Sequence, residues 1–282
     1  MDLGWPGAGV NVQEHAPPLL AKLVDDAGLF PPEELPMPEA VARHRRDDAA
    51  RHPVLTGRFL CPATRLEELL AELAPAEQLP LGLITSLDRA VLSATLERIA
   101  DDTRVVLTGI EAPFGDLAAV PAGVRAFVEV PAVDHRAVAS VAGTGHAVKV
   151  RCGGLRAELF PSAEQLGAFV HACARSSVPF KATAGLHHAL PYRDHRTGFT
   201  HHGFLNLLLA VCRAVEGARR EDVIAVLRIT DADELVAEAR QVTADHAAAA
   251  RSLFVAYGSC STSEPIEDLR ALGLLHSVEV TA

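Results

Sequence analysis

Residues 146–185 read HAVKVRCGGLRAELFPSAEQLGAFVHACARSSVPFKATAG. The two ends of this stretch and its middle follow different periods. HAVKVRCGG (146–154) and VPFKATAG (178–185) alternate between apolar and polar side chains, as strands do. LGAFVHACA between them repeats its apolar residues at helical spacing, behind Ser162-x-x-Gln165, a capping-box signature. Strand, helix, strand within forty residues is a βαβ unit, and its strands are parallel.

The same pattern extends in both directions. Strands are expected at Gly57–Ala63 (GRFLCPA), Leu79–Ser86 (LPLGLITS), Arg104–Glu111 (RVVLTGIE), Val124–Pro131 (VRAFVEVP) and Ser252–Ser259 (SLFVAYGS). Helical segments separate most of them, one opening with a second capping-box pattern, Thr64-x-x-Glu67. The succession predicts an α/β fold of the (β/α)8 TIM-type barrel class, a single domain over residues 1–282. A helical insertion over residues 203–250 precedes the last strand, and residues 1–20 read as an N-terminal arm. The eighth strand is placed near Leu23–Phe30; the other choice, Val223–Thr230, follows the acidic entry Arg220-Glu221-Asp222 and reads as helix. An open doubly wound sheet is the alternative, but neither Gly-x-Gly-x-x-Gly nor Gly-x-x-x-x-Gly-Lys-Ser/Thr follows any strand.

Composition narrows the function classes. The 282 residues carry 26 Lys and Arg against 36 Asp and Glu, a formal charge of −10, and 49% are hydrophobic. A globular chain with a large core fits these numbers, and nucleic acid is not an expected partner, because phosphate neutralisation needs a basic excess or stripe. The five cysteines are dispersed without a Cys-x-x-Cys pair, pointing to a reducing compartment. With no signal-peptide pattern and no apolar run near twenty residues, a cytoplasmic protein without membrane contact is expected. Of the 26 basic residues only Lys22, Lys149 and Lys181 are lysine.

Strand parity sorts the polar residues. Lys149 and Arg151 oppose Val148 and Val150, Glu129 opposes Val128 and Val130, Lys181 and Thr183 oppose Phe180 and Ala182, and Glu111 opposes Ile110. All lie in the last half of their strands, toward the end where barrel active sites are built. One cavity is therefore expected to collect Glu111, Glu129, Lys149, Arg151, Lys181 and Thr183. A salt-bridge layer without catalytic duty is the bland reading, but desolvating each ion costs several kcal/mol. A lysine beside a second cation loses basicity and becomes nucleophilic toward a carbonyl, with Glu111 or Glu129 to move the proton.

The strings Lys181-Ala-Thr-Ala-Gly185 and Lys149-Val-Arg-Cys-Gly-Gly154 resemble the paired lysine strands of the deoxyribose-phosphate aldolase family of class I aldolases. Tyr257-Gly-Ser-Cys-Ser261 is similar to the last-strand turn of such barrels. The resemblance implies a Schiff-base lysine and a substrate-binding role for Ser259 and Ser261. By string Lys181 matches the Schiff-base lysine; by strand order Lys149 does, and the two strings occur in the reverse of the family's order.

Five of the 13 histidines fall between His187 and His202, in the loop after the Lys181 strand. His188 is a candidate acid or base and His187 a candidate substrate ligand. As an alternative, His187 and His188 with Glu111 and Glu129 could form a mononuclear site for a divalent metal such as Zn, Mn or Mg. Within Asp25-Asp26-Ala-Gly-Leu-Phe-Pro-Pro32, Asp26 is a candidate substrate-binding carboxylate. Cys152 and Cys260 read as buried, inert thiols.

The leading expectation is a lyase of aldolase type that acts on a small carbonyl or carboxylate metabolite through a lysine Schiff base, without a cofactor. The alternatives are a metal-dependent barrel lyase, isomerase or hydrolase, and a non-catalytic barrel that binds a small ligand. Monomer and homo-oligomer are both left open.

Overall fold

The computed structural model describes residues 11–280. Eight parallel strands form a closed barrel. They are β1 (Val24–Asp26), β2 (Leu55–Pro62), β3 (Leu79–Ile84), β4 (Val105–Pro113), β5 (Ala126–Val130), β6 (Ala147–Arg151), β7 (Phe180–Thr183) and β8 (Phe254–Ser259). Each pairs with the next in sequence, and β8 returns to β1 through Tyr257↔Val24, Gly258↔Asp25 and Ser259↔Asp26. The chain is thus a (β/α)8 TIM-type barrel, and its first strand is the N-terminal one.

The helices are α1 (Met37–Ala50), α2 (Leu66–Glu72), α3 (Arg89–Ala100), α4 (His135–Val141), α5 (Ala163–Ser176), α6 (Phe204–Val215), α7 (Arg220–Leu227), α8 (Ala232–Gln241), α9 (Ala244–Leu253) and α10 (Ser263–Ala271). Only a three-residue 3-10 turn, Leu117–Ala119, separates β4 from β5. The insertion before β8 consists of four helices, α6 to α9, and Val223 lies in α7 rather than in a strand. Ser162 forms the expected capping box: its Oγ accepts from the Gln165 amide and the Gln165 side chain accepts from the Ser162 amide. The Thr64 box does not form. Thr64 sits inside a 3-10 turn, and α2 starts only at Leu66. Ser252, expected in the last strand, belongs to α9.

Outward strand residues make the core between barrel and helices. Phe180 stacks on Phe254 at 4.9 Å between centroids and meets Phe169 of α5 edge-on at 5.2 Å, while Tyr257 stacks on Phe204 of α6 at 5.4 Å. Burial of each such ring contributes about 1.5–3 kcal/mol. Helix α6 is buried almost all round, which is why FLNLLLAV carries no charge. Its one polar residue there, Asn206, donates to the carbonyls of Val226 and Ile229, both at 2.8 Å.

Asn11–His15, part of the expected arm, pairs antiparallel with His276–Val280. Residues 1–10 of that arm lie outside the described residues. No helix among the described residues is long and apolar enough to cross a membrane.

Candidate functional site

Inside the barrel the inward side chains form one chain of alternating charge. Arg58 Nη1 lies 3.1 Å from both carboxylate oxygens of Asp25. Asp25 and Glu111 both accept from the Lys181 ammonium. Glu111 also accepts from Lys149 Nζ at 3.1 Å, Lys149 is 3.1 Å from Glu129, and Glu129 accepts from Arg151 Nε at 2.9 Å. Four cations thus alternate with three carboxylates.

Backbone register explains the arrangement. Lys149 and Lys181 are register partners, as are Glu129 and Lys149, and Arg151 and Thr183. The β8 positions that share this interior face are the small residues Ala256 and Gly258, so Lys181 on β7 reaches past β8 to Asp25 on β1. On β3 the inward Gly82 leaves room in the same way: a Cβ there would lie 2.5 Å from Leu60 and 2.9 Å from Arg58.

The ladder is graded in exposure. Asp25 and Lys181 are 0% and 1% exposed, Glu111 2% and Lys149 5%. The side chains of Glu129 and Arg151 are 29% and 38% exposed, so this pair forms the mouth. Burial works against ionisation of Glu111, but Lys181 and Lys149 outweigh it and hold its carboxyl at about 2. Burial likewise opposes the charge on Lys181, and Asp25 and Glu111 together raise its pKa above the ordinary value. The expected depression by a second cation is therefore not what surrounds Lys181. Glu111 lies between the two ammonium groups, and an intervening carboxylate reverses the sign of the effect.

Thr183 stands at the mouth, as parity predicts. Asp26 does not. It faces outward, where Arg43 Nη2 at 2.5 Å and His44 Nδ1 at 3.1 Å hold it. Burial opposes its ionisation, and His44 and Arg43 outweigh that and keep the carboxyl below its usual range. Asp25, one residue earlier, enters the barrel instead. A cavity of about 260 Å³ also lies on that outer side, lined by Asp26, His44, Asp47, Arg51 and others.

The expected His and Glu metal set does not converge. His187 Nδ1 is 3.2 Å from Glu264, and His188 Nδ1 is 3.2 Å from Asp268, both on α10, whereas Glu111 and Glu129 are engaged by the lysines and Arg151. Among the described residues no three His, Cys, Asp or Glu side chains gather as a metal cage. The His188 side chain is 43% exposed and pairs with Asp268 rather than with the ladder. His201 and His202 bond to the Gly185 and Pro161 carbonyls and support the loop.

Ser261 lies just before α10, its Oγ accepting from the Glu264 amide at 3.3 Å. Ser259 shares the outward parity of Tyr257, away from the ladder, and its buried hydroxyl has no partner among the described residues.

The sequence reading missed three residues on this face: Arg58, Thr56 and Thr108. Thr56 Oγ1 donates to Asp25 at 2.6 Å, and Arg58 Nε donates to Thr108 Oγ1 at 2.8 Å. Here β2 carries two extra residues between the pairs Val24↔Leu55 and Asp26↔Phe59, with Gly57 at φ +75°. Two extra residues keep the alternation, so Thr56 and Arg58 both face Asp25, whereas β4 carries a single extra residue between Leu81↔Leu107 and Gly82↔Gly109, which re-aims Thr108. The alternation of Arg58 with Leu60 in GRFLCPA is the signal that could have revealed Arg58, since both lie beside the inward Gly82.

Compared with protein-family models, with curated proteins and with solved structures, the chain matches none.

Proposed function

We propose that the protein is a lyase of the aldolase type, with Lys149 as the residue that forms a Schiff base with a small carbonyl compound bearing a carboxylate. The observation that carries this reading is the position of Lys149. It is the register partner of Lys181, it shares Glu111 with it, and it is the lysine that adjoins the mouth pair Glu129 and Arg151. Strand order agrees, since Lys149 lies on β6 and Lys181 on β7. Lys181 is sealed between Asp25 and Glu111, so its role is to position Glu111 and hold it ionised.

Charge balance favours the chemistry. A lysine ammonium and a carbonyl give a protonated iminium and water, so one positive charge stands at the same place before and after. The carboxylates that hold the ammonium therefore also hold the iminium. Carbinolamine formation needs the amine neutral for a moment, and Glu129 takes and returns that proton. The iminium then accepts the electron pair of the breaking C–C bond. Arg151 receives the substrate carboxylate, a planar match for its guanidinium.

The test is borohydride trapping with a panel of small aldehydes and 2-oxo acids, read by peptide mass. An adduct on Lys149 that is lost in Lys149→Arg is the expected result. No adduct across the panel, or one that persists in that variant, refutes the reading. A second reading, a non-catalytic barrel that binds a small anion, is favoured by the fact that every ladder charge already has an opposite partner. Under that reading ligands bind and no adduct is trapped.

A further inference from the structure

Cys260 directly follows β8, and His187 lies four residues beyond β7, so both belong to loops at the C-terminal face of the barrel. Cys260 Sγ is 3.8 Å from His187 Nδ1, within reach for a hydrogen bond to sulfur, and the same nitrogen is 3.2 Å from Glu264 Oε2. An ionised carboxylate only accepts, so Nδ1 must carry a proton. The sulfur then faces an N–H donor rather than a lone pair. Sulfur accepts from such a donor weakly as a thiol and strongly as a thiolate, so the contact favours the nucleophilic form. Burial opposes the charge on His187, but Cys260 and Glu264 outweigh it and lift its pKa to about 10.

The surroundings fit the same assignment. Arg43 Nη1 donates to the Cys260 carbonyl at 2.6 Å and fixes the backbone there, its charge being taken up by Asp26 and Glu33. The His201 ring lies 6.3 Å from that of His187, with its pKa lowered mainly by burial, and burial with nearby carboxylates pushes the Tyr192 phenol up to about 12. Both stay uncharged at neutral pH. His188 and Asp268 pair with each other beside them. The other cysteines have no such partner: burial pushes Cys61, Cys152 and Cys212 up to about 12, and Cys173 higher.

We infer that Cys260, His187 and Glu264 form a nucleophilic thiolate–imidazolium site at the barrel mouth, one that takes carbonyl-activated carbon electrophiles. This site uses neither Lys149 nor Lys181 and stands whether or not a Schiff base forms. With iodoacetamide the thiolate sulfur supplies the electron pair of the new S–C bond, and iodide leaves with the pair of the broken C–I bond. The proton stays on His187.

The experiment is alkylation of the full chain by iodoacetamide at neutral pH, with each of the five cysteine peptides followed by mass. Cys260 is expected to react first, about tenfold or more ahead of the other four. In His187→Gln its rate should fall about tenfold, with the pH profile moved to the alkaline side. Glu264→Gln should give a smaller shift of the same sign and serves if His187→Gln does not fold. The thiolate ultraviolet absorbance present at neutral pH in the wild type and missing in Cys260→Ser gives a readout that needs no reagent access. Labelling of Cys260 no faster than of the buried cysteines, a rate unchanged in the folded variants, or no absorbance difference against Cys260→Ser overturns the assignment.

Discussion

Replacement of Glu111 by Gln tests the ladder at its centre. Gln keeps the shape but removes the charge that both lysines share. The Glu111 carboxyl is held at about 2 against an ordinary 4.5. At about 1.4 kcal/mol per pH unit, that difference corresponds to about 3 kcal/mol of stability at neutral pH. Breaking a buried pair by removing one partner independently gives about 3–5 kcal/mol. Lys181 keeps Asp25 and Lys149 keeps Glu129, so the lower figure is expected. Because the folded-state pKa is depressed, the contribution is complete above pH 4.5 and is lost as the pH falls toward 2. Urea unfolding followed by circular dichroism should show Glu111→Gln about 3 kcal/mol less stable at neutral pH, a midpoint lower by about 1 M for an m-value near 3 kcal/mol/M. The gap should narrow as the wild type is acidified. A difference below about 1 kcal/mol at neutral pH, or one independent of pH, would refute the claim that Glu111 is an ionised bridge between the lysines.

Three further outcomes follow from local geometry. Gly185 has φ +73°, and a Cβ there would lie 2.5 Å from the Cys152 carbonyl oxygen; Gly185→Ala should therefore lower the melting temperature, at a cost of about 1–3 kcal/mol. Asn206→Leu strips the Val226 and Ile229 carbonyls of their donor and should cost about 1–3 kcal/mol in urea unfolding, with far-ultraviolet dichroism of the folded state unchanged. Phe180→Ala empties the contact between Phe169 and Phe254 and should cost about 3–5 kcal/mol by the same measurement.

What could be read from the chain was whatever repeats with the strand period. Lys149, Arg151, Lys181, Thr183, Glu111 and Glu129 sit in strands that keep regular alternation up to the mouth, so parity alone directs them into one interior. Arg58 and Thr56 were missed because they lie in the first half of β2, away from the strand ends where polar residues were sought, and Asp26 was chosen over Asp25 because a three-residue strand is too short to show a phase. His187 and His188 were placed near the right strand end, but their partners Glu264 and Asp268 lie about eighty residues away on α10. No local spacing records that contact. The same holds for Cys260: its sequence neighbours suggest an inert thiol, and only the fold sets an imidazole beside the sulfur.

Alternation also bears on which end of the ladder a ligand would engage. Four cations against three carboxylates leave one positive charge without a full partner. At the other end, the Arg58 side chain is 19% exposed and borders the outer cavity, but Asp25 holds it through one nitrogen and Thr108 through another. At the open end, Arg151 has only Glu129, and both side chains are partly exposed. An entering carboxylate at the barrel mouth would extend the alternation at Arg151, and in doing so would draw Arg151 away from Glu129. Glu129 would then be left to Lys149 alone, as the acceptor for its proton. Under the proposed function, substrate binding at the mouth and activation of the lysine beneath it would be one electrostatic event. An Arg151→Gln variant should accordingly lose trapped adduct on Lys149 for 2-oxo acids by tenfold or more, on the order expected when a charge-assisted contact of about 1.5–3 kcal/mol is removed. For uncharged aldehydes it should lose much less. Equal loss for both substrate types would separate Arg151 from carboxylate recognition and remove the link between binding and activation.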